Sequence, residues 1–192
     1  MNRSRELFWE LLEPEYLRAM MFCRKLTGDR ERGDDLYQDA LVIAYSRFPD
    51  LRDTAAFRPW LYRVLINRFN STVRHSWWKQ QAVETSWEEL SPSGENPLQA
   101  LTARRWLERA FRAVSPEERT LVTLYELEEW TVNELAELYG RSASAIKVRL
   151  FRARRKMRKA LIDYSRRRAR SETTNRALDK EGKCAVAKPG LD

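Results

Sequence analysis

Histidine occurs once and cysteine twice in the 192 residues. That leaves too few soft ligands for a four-ligand His/Cys zinc site and no second member for a His-based triad. Cys23 and Cys184 are far apart in unlike contexts, so no disulfide scaffold is expected and a reducing compartment suits the chain. No apolar run approaches the roughly 18 residues of a membrane span. The opening stretch MNRSRELFWELLEPEY lacks the zones of a signal peptide, so the expected location is the cytoplasm, without membrane insertion. A glycine-rich phosphate loop, a metal-ligand cluster and a nucleophile pair are missing as well. The expectation is therefore no catalytic residue, no metal and no cofactor, with carboxylate chemistry alone not excluded.

What is present is apolar and basic. Hydrophobic residues make up 43% of the chain, with seven each of Trp, Tyr and Phe, enough to build real cores and to exclude wholesale disorder. The net charge of +8 is unevenly spread. Residues 141–170 carry 13 Lys or Arg against one acid, Asp163, whereas the other residues carry 23 basic and 27 acidic side chains. A cationic stretch on a slightly acidic body points to a polyanion partner for that stretch alone, with nucleic acid ahead of an anionic membrane.

The pattern of apolar residues is helical throughout, giving an all-α fold of two small domains. The segment from Glu84 to Pro97, ETSWEELSPSGENP, has four acids, no base, two prolines and a glycine, the composition of a linker. The expected organisation is a helical bundle over 1–83, a linker over 84–97, a second helical domain over 98–163 and a basic, disordered tail over 164–192. In the first domain, Tyr16 to Leu26 reads as a helix stopped by Gly28 in a left-handed cap. A second helix starts near Asp34, burying Leu36, Ala40, Ile43 and Ala44 and turning Asp35, Gln38, Asp39 and Val42 outward. A third begins around Thr54 to Pro59, with Leu61, Leu65 and Phe69 inward and Tyr62, Arg63, Asn67 and Arg74 outward.

In the second domain, Ser115-Pro116-Glu117-Glu118 and Thr131-Val132-Asn133-Glu134 are both capping-box starts. The helix after Thr131 is short and closed by Gly140. Another begins after Ser142, with Ile146, Leu150, Ala153, Met157 and Leu161 inward. A short helix, a glycine turn and a longer helix with a basic outer face form the layout of a helix-turn-helix. Lys147, Arg149, Arg152 and Arg154 would project toward phosphates and guanine edges of a major groove.

Both domains resemble one family. The run LTGDRERGDDLYQDALVIAYSRFPDLRDTAAFRPWLYRVLINRFNSTVR resembles region 2 of bacterial sigma factors, and SPEERTLVTLYELEEWTVNELAELYGRSASAIKVRLFRARRKMRKAL resembles region 4. Only a short linker joins them, so the chain is similar to the extracytoplasmic-function (ECF) class, with regions 2 and 4 alone. The resemblance implies a promoter-specificity subunit that binds core RNA polymerase and promoter DNA, melts the start site and is held by an anti-sigma factor. Asp35, Leu36, Gln38 and Asp39 would grip the clamp of the largest polymerase subunit. Phe57, in the loop from Asp53 to Pro59, would lie with Trp60, Arg63 and Asn67 at the minus-10 element. Ser144, Lys147, Arg149, Phe151, Arg152 and Arg154 would read the minus-35 element. Val148 replaces a small hydroxyl of the family pattern. Ordinary structural roles stand beside these: a solvated helix start for Asp34, Asp35 and Asp39, and core or packing roles for Trp60 and Tyr62. Two other functions are weighed, a stand-alone helix-turn-helix regulator and, behind it, an enzyme acting on nucleic acid.

Overall fold

The computed structural model describes residues 2–77 and 97–185. Most of the acidic segment, 84–96, and the terminal residues 186–192 therefore lie outside the description. Among the described residues there is no strand, and eight α-helices form two bundles. The first contains α1 (Asn2–Leu12), α2 (Tyr16–Thr27), α3 (Arg30–Arg47) and α4 (Phe57–Trp77); the second contains α5 (Pro97–Phe111), α6 (Pro116–Leu127), α7 (Val132–Tyr139) and α8 (Ala143–Ala185).

The first core is built from Phe8, Leu12, Phe22, Leu26, Leu61 and Leu65, all essentially without solvent exposure. Helix α1 was not legible as an element, yet its Phe8 ring meets Tyr45, Phe48 and Phe57 edge-on at 5.3, 5.3 and 5.8 Å. Gly28 ends α2 with φ 73°, its N–H donating to the Arg24 carbonyl, a conformation that glycine adopts without a steric penalty. Helix α3 starts at Arg30, four residues ahead of the expected start. Asp29 supplies the cap, its carboxylate accepting the Arg32 N–H at 2.9 Å. Gly33 then lies inside the helix rather than before it. A β-carbon there would stand 2.5 Å from the Arg24 Cα and 2.8 Å from its backbone nitrogen, so α2 and α3 cross backbone to backbone. Beside this crossing Arg24 donates two hydrogen bonds to Asp34, at 2.7 and 2.9 Å. Cys23 is fully buried here, and burial, with the negative charge of Asp34 adding to it, holds its thiol well above the usual range.

The second domain follows its capping chemistry. The Ser115 hydroxyl accepts the Glu118 N–H at 3.2 Å while the Glu118 carboxylate accepts the Ser115 N–H at 2.9 Å. Thr131 and Glu134 repeat the pair at 3.2 and 2.7 Å. Gly140 closes α7 at φ 59°, and the Arg141 N–H returns to the Ala136 carbonyl at 2.9 Å. Helix α8 packs on α5, α6 and α7 and continues to Ala185. The expectation of a disordered tail from 164 is therefore replaced by helix through 185. Residues such as Arg, Ala, Glu, Leu and Lys favour helix, and extending a formed helix avoids the costly nucleus.

The Thr131 N–H, with the Thr131 hydroxyl behind it, holds the Glu134 carboxyl below its ordinary range. As pH falls, the unfolded chain takes up this proton before the folded one does, so this contribution is present above the ordinary glutamate pKa and is lost below it. Glu134→Gln keeps an acceptor for the Thr131 N–H and removes only a charge that is 43% exposed, so it should cost no more than about 0.5 kcal/mol near neutral pH and less near pH 3. Denaturant unfolding of both proteins at the two pH values checks this.

Candidate nucleic-acid interface

Helix α8 presents residues at three- and four-position steps on one side. Ser144, Lys147, Val148, Phe151 and Arg152 are all exposed, Val148 at 46% and Phe151 at 65%. Apolar side chains this open, set among cations, suit the mixed edge of a major groove, where a thymine methyl takes an apolar contact and phosphates or guanine take Arg and Lys. Arg149 and Arg154 are placed differently. Arg149 donates to Glu117 at 2.8 Å, and Arg154 donates to Glu126 at 2.6 Å with its guanidinium 5.1 Å over the Tyr125 ring. Lys156 is held by Glu118 at 2.6 Å. Acids of α6 thus clamp one flank of α8 and leave the other open. Val148 belongs to the open side, and its helical spacing from Ser144 and Phe151 was the signal for it.

On α3, Asp35, Gln38, Asp39 and Val42 form an exposed ridge, Val42 at 70%. Asp39 accepts Arg68 of α4 at 2.6 Å. Leu36 does not join them on the ridge: at 5% exposure it is part of the core.

Helix α4 divides its residues in a way the sequence does not suggest. Phe57 is 3% exposed, packed with Phe8 and Phe48. Trp60 is half-buried against Phe48 and Phe57, with ring centres 6.4 and 5.8 Å away. Arg63 and Asn67 are exposed. Tyr62, read on the outer face, is fully buried, with Phe22 of α2 at 5.2 Å and Trp130 of the second domain at 4.9 Å from its ring. Burial, with the charges of Glu128 and Glu15 adding to it, raises the Tyr62 hydroxyl pKa well above its usual value.

The two domains touch along α2 and α4 on one side and α6 and α7 on the other. Arg58 stacks its guanidinium 4.7 Å over the Trp130 ring, and Lys25 donates to Glu128 at 2.7 Å and to the Leu127 carbonyl at 3.4 Å. Arg63 donates to the carbonyls of Glu137 and Leu138 at 3.3 and 2.9 Å, a cation set on the negative end of α7. Next to it a cleft of about 290 Å³ is lined by Arg63, Asn67, Asn70, Arg141 and Arg149. The Tyr62 hydroxyl, Trp130 Nε1 and Glu15 Oε2 are buried with no hydrogen-bond partner among the described residues, although the other Glu15 oxygen pairs with Arg58 at 3.5 Å. Such atoms each cost about 1–3 kcal/mol.

Among the described residues no group of acids, cysteines or histidines could hold a metal ion, and no helix is long and apolar enough to cross a membrane. A four-helix bundle tied to a helix-turn-helix whose open face is cationic defines a two-domain, helical DNA-binding protein. Sequence comparison narrows the class. Residues 11–79 match Sigma-70 region 2, and residues 104–157 match Sigma-70, region 4. The chain belongs to the sigma-70 family and to its ECF class, with regions 2 and 4 only, and is an alternative sigma factor that directs promoter-specific transcription. It is 30% identical to the RNA polymerase sigma-E factor of Streptomyces coelicolor over 163 residues, covering 80% of this chain and 88% of that one. It is 25% identical to the ECF RNA polymerase sigma factor SigM of Mycobacterium tuberculosis, covering 82% and 79%. The fold is shared with the sigma factor RpoE solved in complex with the anti-sigma factor NepR from Bartonella quintana, at TM-score 0.61 and 21% identity over 80% of this chain and 96% of that one. It is also shared with CnrH solved in complex with the cytosolic domain of CnrY, at TM-score 0.57 and 22% identity over 82% and 88%.

Proposed function

We propose that three faces divide the work of initiation. The α3 ridge of Asp35, Gln38 and Asp39 docks on basic groups of the core polymerase clamp. Trp60, Arg63 and Asn67 of α4 hold an unstacked strand at the minus-10 element, by stacking and edge hydrogen bonds worth about 1–3 kcal/mol per base. Ser144, Lys147, Phe151 and Arg152 read duplex at minus-35, with Arg149 and Arg154 reaching it by exchanging Glu117 and Glu126 for phosphate. Leu36 and Phe57 act from within, fixing the helices that carry these faces. The chain is no catalyst in its own right; strand capture supplies the free energy of melting. It works in the cytoplasm, and an anti-sigma factor holds it inactive, as the partners of RpoE and CnrH in the solved complexes support.

The observation that carries this reading is the open side of α8, where Lys147, Phe151 and Arg152 are exposed together while acids occupy the opposite flank. Adding the protein to core polymerase on fragmented genomic DNA should produce transcripts from a small set of start sites that share two upstream elements. Sequence-specific binding by the chain alone, with no start sites gained by core polymerase, would instead make it a stand-alone regulator.

A further inference from the structure

We propose that the open face of α8 runs on past the helix-turn-helix as a second DNA contact, a cationic rail that binds the phosphates flanking the minus-35 element whatever their sequence. This rests on the role given above to Arg152 and its neighbours on that face. Val148, Arg152, Arg155, Lys159, Ile162 and Arg166 follow one another at three- and four-residue steps and are all exposed, Ile162 at 43%. Opposite them Ile146, Leu150 and Ala153 are buried, Met157 is half-buried, and Tyr164 sets its ring edge-on to Trp106 of α5 at 5.3 Å. The helix is thus held to its domain as far as Tyr164, and the stripe keeps one direction. The match to region 4 ends at residue 157, so Lys159, Ile162 and Arg166 lie beyond it.

Length decides where such a stripe can bind. Val148 and Arg166 are separated by about 27 Å of helix, at about 1.5 Å per residue, whereas a major groove is about 12 Å wide. With the end from Ser144 to Arg152 in the groove, the rest of the stripe passes over the sugar-phosphate strand at its edge. Charge points to the same partner. On the clamped flank Arg149, Arg154 and Lys156 are paired with Glu117, Glu126 and Glu118. On the stripe Arg155, Lys159 and Arg166 have no ion-pair partner among the described residues. Asp163, the one acid between 141 and 170, lies off the stripe in a groove shared with Arg109 of α5. A helix face that serves only to be solvated alternates acids with bases, because like charges three or four positions apart repel; this one sets Lys159 four residues after Arg155 with no acid beside them. A phosphate strand relieves that repulsion, and neutralising it releases counterions irrespective of base sequence.

Holoenzyme made from core polymerase and the full-length chain tests the rail on an end-labelled duplex carrying a promoter found by start-site mapping. One variant combines Arg155→Ala, Lys159→Ala and Arg166→Ala; a second combines Arg155→Lys, Lys159→Arg and Arg166→Lys and keeps the charges. The alanine variant should lower the slope of log affinity against log salt by about 2.7, about 0.9 for each of three phosphates, so that going from about 0.2 to about 0.05 M salt strengthens wild-type binding about fortyfold more than that of the variant. Its start sites stay those of the wild type, and the charge-keeping variant follows the wild type throughout. On a duplex with neutral methylphosphonate linkages on both sides of the element, the wild type and the alanine variant bind alike. An unchanged slope, a shift of start sites, or a charge-keeping variant as weak as the alanine one overturns the rail. A loss that persists in full on the methylphosphonate duplex also overturns it, because the cations then meet an acidic surface of the polymerase and not DNA. Arg152→Ala on the same duplex separates this from the minus-35 reading. If it weakens binding while the alanine variant keeps the wild-type slope, the rail alone fails; if it too binds as the wild type does, the reading of α8 as the duplex-facing helix fails with it.

Discussion

Replacing Gly33 with alanine will lower the melting temperature of the protein by about 5 °C, contrary to what the helix alone would do. In the interior of an α-helix, glycine to alanine gains about 0.5–1 kcal/mol. Here the new methyl carbon would lie 2.5 Å from the Arg24 Cα, 2.7 Å from its Cγ and 2.8 Å from its nitrogen. The side-chain carbon can rotate away, but the two backbone atoms cannot, so α2 and α3 must separate. Overpacking of this kind costs about 1–3 kcal/mol, sometimes more, and for a chain of this size each kcal/mol shifts the midpoint by about 2–4 °C. The Arg24–Asp34 hydrogen bonds at the same crossing are stretched by the separation. Differential scanning calorimetry of the two proteins decides the sign, and a higher midpoint for the alanine variant would mean that the two helices do not approach this closely. Because α3 carries the ridge of Asp35, Gln38 and Asp39, core polymerase binding should weaken along with stability.

Arg152→Ala should lower holoenzyme affinity for duplex promoter DNA about tenfold to a hundredfold, the 1–3 kcal/mol of a specific Arg contact. Arg154→Ala should do less. Both are arginines of one helix, but Arg154 is held by Glu126 and Tyr125, whereas Arg152 has no ion-pair partner among the described residues. Binding through Arg154 first requires breaking that pair, which offsets much of what the DNA contact returns. Anisotropy titrations over a range of salt, on a promoter chosen by start-site mapping, separate the modes of contact. A base contact changes sequence preference, and a phosphate contact lowers the salt slope by about 0.9. Equal losses for the two variants would show that the acids of α6 do not rank these arginines.

What could be read in the sequence was what is settled within a few neighbouring residues. Ser115 with Glu118, and Thr131 with Glu134, announce their helices because each cap is closed by groups three positions apart, and Gly28 and Gly140 mark the ends that need positive φ. The start of α3 reads four residues late in the sequence, and only the approach of α2 shows why the helix keeps Gly33. Tyr62 falls outside the inward stripe of Leu61, Leu65 and Phe69, and the sequence leaves it either on the outer face or as a packing aromatic; its cover, Trp130, lies across the linker. The same distance hid Lys25 with Glu128 and Arg63 with the end of α7. An acidic, proline-bearing segment between the domains signals separation, and nothing in its composition indicates that the bodies it joins are in contact. Resemblance carried Leu36 and Phe57 into the binding faces, since it transfers positions and not exposures.

The position of Cys23 has a physiological consequence. With its sulfur shielded at the α2–α3 crossing and its proton held by burial, it presents no thiolate to peroxide or to an electrophile. Oxidative stress therefore cannot be registered at this residue while the first domain is folded, and an oxidant answered through this factor must be sensed at a group other than Cys23.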